Sequence, residues 1–318
     1  MSAPPRSGPA SGQKGRETNM NTVGVIGLGV MGAPMAANLV KAGYDVIGYN
    51  RSPGPVERLV AAGGRAATGV PDVAARADAV LTVLPDSPDV EEVVLGADGV
   101  LRHARDGLLL VDFSTIRPET SRAVAEAARK AGARPLDAPV SGGERGAIEG
   151  ALSIMVGGRK EDFAAAKPLF DAVGRTVVHV GGDGAGQTVK AANQMIVGGV
   201  IAVVSEALIL LEASGVPTGS ALTVLKGGLA GNQVMNVKGD SMLARSFEPG
   251  FRIDLHHKDL GIALAVARAT GVTTPLTGIV AQLLTAARAR GLGSLDHSAL
   301  LLLVEELAGR APAREGRA

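Results

Sequence analysis

The chain has 318 residues, with 32 Lys and Arg against 31 Asp and Glu, no Cys, no Trp and only 2% aromatic residues. A formal net charge of +1 gives no overall field to attract nucleic acid or anionic lipid, and so few aromatics leave no platform for base stacking. Without Cys there is no thiol catalysis, disulfide or thiolate-bound zinc, so redox chemistry would have to come from a bound cofactor.

Residues 1–20 are rich in Pro, Ser, Gly and charge and lack an apolar signal segment, which predicts a disordered leader. Candidate strands follow at Val23–Ile26, Asp45–Tyr49, Ala79–Leu84, Leu108–Asp112, Arg134–Asp137, Ser153–Val156 and Thr176–Val180. Between them lie Ala-rich amphipathic stretches at Pro34–Ala42, Val70–Arg76, Pro118–Ala131 and Asp162–Val173. The alternation predicts an α/β fold, a parallel sheet covered by helices on both faces. At Gly181-Gly182-Asp183-Gly184 the pattern changes to one long helical period from Gln187 to Ser214, with helices continuing to Gly309. A boundary near Asp183 therefore divides a nucleotide-binding domain, 21–183, from an all-α domain, 184–310, built on the long helix; residues 311–318 are expected to be a disordered tail. The apolar run Met195–Leu211 is interrupted by Ser205 and Glu206, so no membrane span and a cytoplasmic location are expected. Its surplus apolar face predicts a homodimer or homotetramer.

The first strand runs directly into Gly27-Leu28-Gly29-Val30-Met31-Gly32 and then a helix. In that setting the first Gly allows a tight turn, the second lets backbone approach a pyrophosphate, and the third lets helix and strand pack closely. The spacing predicts a dinucleotide site in a doubly wound, Rossmann-type sheet. The second strand ends in Asn50-Arg51-Ser52, where an NAD site would usually carry Asp or Glu. A guanidinium fork suits a 2′-phosphate, which favours NADP over NAD; the lesser alternative is that Arg51 is a solvated residue after a strand.

Two later segments carry possible chemistry. Ser141-Gly142-Gly143 follows a strand and offers a hydroxyl and unobstructed amides to a carboxylate, but a structural turn has the same composition; Glu144–Gly150 reads as a further loop. Lys190, Asn193 and Gln194 share one face at the start of the long helix, where an interdomain lysine could transfer a proton and an exposed one would merely be solvated. Asp254 and Asp259, with Lys258 between, read as charge balance or capping, and Asp86-Ser87-Pro88-Asp89 as a loop starting a helix. The five His show no metal-ligand spacing, so no metal is expected.

These segments, with Phe251-Arg252-Ile253-Asp254-Leu255-His256-His257-Lys258-Asp259-Leu260, occur in an order that resembles the β-hydroxyacid dehydrogenase family over residues 22–309. The resemblance implies an NAD(P)-dependent oxidoreductase acting on a small β-hydroxyacid or carboxylated semialdehyde. It implies that Lys190 is the general acid/base, that Ser141, Gly142 and Gly143 hold the substrate carboxylate, and that Asn193, or Gln194 beside it, orients the substrate. Many relatives have Asn where this chain has Gln194. It further implies that Leu84, Pro85 and Thr115 line the cofactor, while Phe251 and Lys258 close the site from the second domain. Within the family, Lys226–Gly231, Pro249–His256 and Asp296–Ala299 are most similar to the tartronate semialdehyde reductases. A non-catalytic NADP-binding module is the rival reading; it would need the glycine turn but no lysine opposite.

Overall fold

The computed structural model describes the chain from Met20 to Arg310. The expected leader and tail lie outside the described residues, apart from Met20, which packs against the first core. The first lobe runs β1 (Thr22–Ile26), α1 (Gly32–Lys41), β2 (Asp45–Tyr49), α2 (Pro53–Ala61), β3 (Arg65–Ala66), α3 (Val70–Arg76) and β4 (Ala79–Thr82). It continues through α4 (Ser87–Leu95), α5 (Val100–His103), β5 (Leu109–Asp112), α6 (Pro118–Lys130) and β6 (Arg134–Asp137). β7 (Val140–Ser141), α7 (Gly143–Ile148), β8 (Leu152–Gly158), α8 (Lys160–Val173) and β9 (Gly174–Gly181) complete it.

The sheet order is β3-β2-β1-β4-β5-β6-β8-β7, with β9 beside β8. The first six strands are parallel, and their order reverses between β1 and β4, opening the crevice in which such sheets bind ligands. Alternation along each strand feeds two cores. Leu109 and Val111 pack with Met35, Leu39 and Phe170 on one face, while Leu108 and Leu110 pack with Val73, Val90 and Val124 on the other. Gly24 is dictated by this packing, since a Cβ there would lie 2.3 Å from Val73 Cγ1.

Three expectations need correction. The sheet is not wholly parallel, because β8 runs antiparallel to β6 and β7. The connection from β6 to β8 runs through β7, which itself pairs antiparallel with β8, and the six-residue α7, so the chain turns back along the sheet instead of crossing over it. Residues 144–150 are therefore not simply a loop: α7 occupies most of them. The strand expected to reach Leu84 ends at Thr82, because the Leu84 N–H leaves the ladder and donates to Ser114 Oγ at 2.9 Å.

The second lobe contains α9 (Ala185–Ala213), α10 (Thr218–Gly227), α11 (Gln233–Leu243), α12 (Ile253–Thr270), α13 (Pro275–Ala289) and α14 (Leu300–Leu307). Ile201, Val204 and Leu208 of α9 share a core with Leu260, Leu284 and Leu301. Among the described helices, α9 alone is long and apolar enough to cross a membrane. One side of it serves this core, and the other leaves Ile196, Val203 and Leu210 exposed at 67%, 64% and 67%. Just before α9, Asp183 accepts two 2.6 Å hydrogen bonds from Arg129 of α6.

Candidate active site

The glycine turn separates what the protein's own packing demands from what it leaves open. Gly27 has φ +97°, and a Cβ there would lie 2.3 Å from Val83 O; one at Gly32 would lie 1.9 Å from Gly27 O. At Gly29 a Cβ would meet nothing within 4 Å. Bare backbone therefore faces open space at the start of α1, which fits the pyrophosphate of a dinucleotide. Leu28 is buried beneath the turn, Val30 is exposed and Met31 packs partly on the core. Asn50 Oδ1 accepts the Leu28 N–H at 3.0 Å, and its Nδ2 donates to Ser52 Oγ at 2.9 Å. Arg51 is exposed, with only a loose 3.8 Å approach to Asp89.

At the ends of β4 and β5, Asp112 Oδ1 accepts Thr82 Oγ1–H at 2.8 Å and the Ser114 N–H at 3.0 Å, while its buried Oδ2 has no hydrogen-bond partner. Burial pushes this carboxyl up to about 6. Pro85 and Thr115 sit on the loops after β4 and β5, and their carbonyls both accept from Lys258 Nζ, at 2.8 Å for Pro85. Lys258 thus reaches from α12 across to the first lobe.

The start of α9 is held by the ends of β5 and β6. Asp137 Oδ1 accepts the Gly184 N–H at 2.8 Å and Oδ2 the Gln187 N–H at 3.0 Å. The Gln187 side chain donates to Ser114 O at 2.8 Å and accepts from the Ile116 N–H at 3.1 Å. One turn further, Lys190 is 6% exposed and its Nζ donates to Val140 O, beside Ser141, at 2.7 Å. Desolvation pulls this ammonium down to about 8; Asp259 opposes the shift and Lys258 adds to it. Ser141 is half-buried, and Gly142 and Gly143 are exposed with φ +139° and +63°.

The two amides after Lys190 are placed differently. Asn193 is half-buried and donates to Gln194 Oε1 at 2.7 Å, while Gln194 is buried and donates to Asp259 Oδ2 at 2.6 Å. Gln194 is therefore engaged on both sides. Asp254 fits its expected place, in the first turn of α12 and 2.6 Å from Arg288. Asp259 does balance Lys258, whose Nζ is 3.2 Å from Oδ1, but it caps nothing: it is 2% exposed, lies in mid-helix and also accepts from Gln194. The sequence signal was its spacing of three from His256, which puts both on the buried face of α12. Phe251 is half-buried, its ring 5.8 Å from the His256 ring and 5.4 Å from that of His297. Residues 85, 115, 140–141, 190, 193 and 258 thus meet between the lobes, while Arg51 and Ser52 lie at the end of β2, beside the glycine turn.

A dinucleotide turn in one lobe, with a buried, easily deprotonated amine where the lobes meet, is the equipment of a nicotinamide-dependent dehydrogenase. The family profile for the NAD binding domain of 6-phosphogluconate dehydrogenase matches residues 22–181, and that for the NAD-binding part of NADP-dependent 3-hydroxyisobutyrate dehydrogenase matches residues 184–304. The chain belongs to the β-hydroxyacid dehydrogenase family and is an NAD(P)-dependent oxidoreductase. It is 42% identical to the 2-hydroxy-3-oxopropionate reductase of Escherichia coli (strain K12), over 90% of this chain and 98% of that one. It is 37% identical to an NAD-dependent L-serine dehydrogenase of Pseudomonas aeruginosa, over 92% and 100%. The solved Mycobacterium tuberculosis 3-hydroxyisobutyrate dehydrogenase with L-serine superposes with a TM-score of 0.80 at 35% identity, covering 90% of this chain and 99% of that one.

Proposed function

We propose that this protein is a cytoplasmic reductase of short carboxylated semialdehydes, with tartronate semialdehyde (2-hydroxy-3-oxopropionate) as substrate and NADPH as preferred cofactor. The observation that carries the reading is Lys190, whose buried Nζ lies 2.7 Å from Val140 O at the mouth of the Ser141-Gly142-Gly143 turn. An amine near 8 is protonated at neutral pH yet gives up its proton readily, so Lys190 protonates the carbonyl oxygen as that oxygen gains charge. Ser141 and the two glycines hold the substrate carboxylate, and Asn193, whose neighbour Gln194 is already engaged, orients the substrate. When bound, the reduced nicotinamide supplies the hydride.

Leu28, Gly29 and Val30 follow the pyrophosphate, while Leu84, Pro85 and Thr115 line the nicotinamide side, with Phe251, just before α12, and Lys258 of α12 closing over it. The NADP preference rests on the end of β2. It carries no carboxylate, Asn50 is committed to Leu28, and the Arg51 fork is nearly free to meet a phosphate. The substrate assignment rests on the 42% identity to the E. coli reductase. The domain limits 21–183 and 184–310 belong to this reading, as does a homo-oligomer joined through the apolar stripe of α9.

NADPH absorbance, followed with tartronate, methylmalonate and succinate semialdehydes, tests the proposal. Tartronate semialdehyde should give the highest kcat/KM. A higher value with methylmalonate semialdehyde would move the protein to the 3-hydroxyisobutyrate branch, and no oxidation of NADPH with any of the three would overturn the substrate class.

A further inference from the structure

Beneath the site, two buried imidazoles face each other in a way the reaction described above does not use. His256 Nε2 lies 3.1 Å from Gln194 O, and His256 Nδ1 lies 3.0 Å from His297 Nδ1. A carbonyl oxygen can only accept, so His256 must carry its proton on Nε2. Its Nδ1 is then a bare lone pair, and only a proton on His297 Nδ1 can fill the space between the rings. Both rings are neutral in this arrangement, consistent with burial pushing each below its usual range.

The surroundings enforce the pair. Gly198 lets the imidazole approach the α9 backbone, since a Cβ there would lie 3.2 Å from His256 Nε2. His297 is fixed through its own backbone, which donates to Phe251 O at 2.8 Å, and through Asp296. Asp296 Oδ2 accepts from Lys238 Nζ (2.7 Å), the Gly250 N–H (3.1 Å) and the Phe251 N–H (3.0 Å). Asp296 Oδ1 accepts from the Ser298 N–H (3.2 Å) and Oγ–H (2.7 Å). With five donors on its oxygens and 4.0 Å to His297 Nε2, this carboxylate frames His297 without taking a hydrogen bond from the ring.

The pair therefore lies at the junction of two edges of the cleft. On one side it holds the α9 turn bearing Asn193 and Gln194, and on the other its rings support Phe251. We propose that His297, acting through His256, is a positioning residue for the aldehyde: one shared proton locks the two rings and with them Phe251 and Asn193. The inference rests on the semialdehyde reading for its kinetic arm only.

The first arm needs no substrate. Histidine-selective 15N spectra of the full-length, NADPH-bound protein at neutral pH should show His256 as the Nε2–H tautomer and His297 as the Nδ1–H tautomer, which is the minor form in free histidine. Two Nε2–H rings, or an imidazolium at either position, would overturn the proposal. The second arm uses substitutions. In His297→Asn the amide can donate from the place of Nδ1, and in His297→Leu nothing can. The Leu variant should raise KM for tartronate semialdehyde about tenfold and KM for NADPH by less, while the Asn variant stays within about threefold of the parent for both. A folded Leu variant with unchanged aldehyde KM, or an Asn variant equally impaired, also rejects the idea. If the parent protein does not turn over this aldehyde, the substrate reading fails and the spectra still decide on the pair.

Discussion

Gln187 places its backbone N–H 3.0 Å from Asp137 Oδ2, so the first turn of the helical lobe is capped by a carboxylate at the end of β6 in the other lobe. The first amides of a helix have no partners within it, and a negative group there is favoured by the helix dipole. Here that local need ties the lobes together. Lys190, three residues beyond Gln187, inherits its position from this contact.

Lys190→Ala should retain the fold and NADPH affinity and lower kcat by about a hundred- to ten-thousandfold. With Lys190 as the proposed acid, reduction needs the protonated amine, so its rate should fall as pH rises past about 8, and oxidation of the hydroxyacid should rise through the same range. Unfolded, the lysine keeps its proton up to 10.5, so this group's contribution to stability increases with pH between the two values. Steady-state rates in both directions and NADPH titration check this; a variant with full turnover would remove the lysine from the reaction.

Asp259→Asn preserves shape but removes the negative charge that holds the Lys190 pKa up. The falling limb of the reductive pH profile should move to lower pH, with little change in NADPH binding. An unmoved limb would mean that Asp259 acts on Gln194 and Lys258 only.

Arg51→Ala should weaken NADPH binding about tenfold and NADH binding far less, because only the former carries a 2′-phosphate for the guanidinium to grip. Paired titrations by nicotinamide fluorescence measure both. Equal losses would leave the NADP preference unsupported.

Asp112 ionises near 3.8 when unfolded and about 6 when folded. Between these values the native state holds the extra proton, so the stability contributed below 3.8 is lost as pH rises through the folded pKa. Over the full window the loss is about 3 kcal/mol. Asp112→Asn should flatten the decline in melting temperature from pH 4 to pH 6; an unchanged slope would place the titration elsewhere.

Some of this architecture can be read from the sequence because its causes are local. Gly27 follows from its own positive φ and Gly32 from the Gly27 carbonyl five residues back, and α3 has the bounds Val70 and Arg76 that its amphipathic pattern suggests. Lys190 is noticeable because it follows a Gly-rich start on the face that continues into apolar Val197 and Ile201. By contrast, β7 has two residues and α7 six, too few for a period to emerge, so the antiparallel return to β8 was hidden. Asp259 next to Lys258 looks like a surface pair until α12 docks on α9 and buries it. The His256–His297 contact joins residues 41 apart in the chain, which no local pattern encodes.

The 29-residue α9 is a lever pivoted near its own beginning, where Arg129 grips Asp183 and Asp137 grips the first turn. At 1.5 Å per residue, the amine-bearing position lies about 8 Å along it and the tip about 43 Å. A tilt of about 10° would carry the tip about 7 Å but displace the amine by little more than about 1 Å. A displacement of the distal end would thereby be geared down at Lys190, so that changes at the tip of α9 would move the amine little.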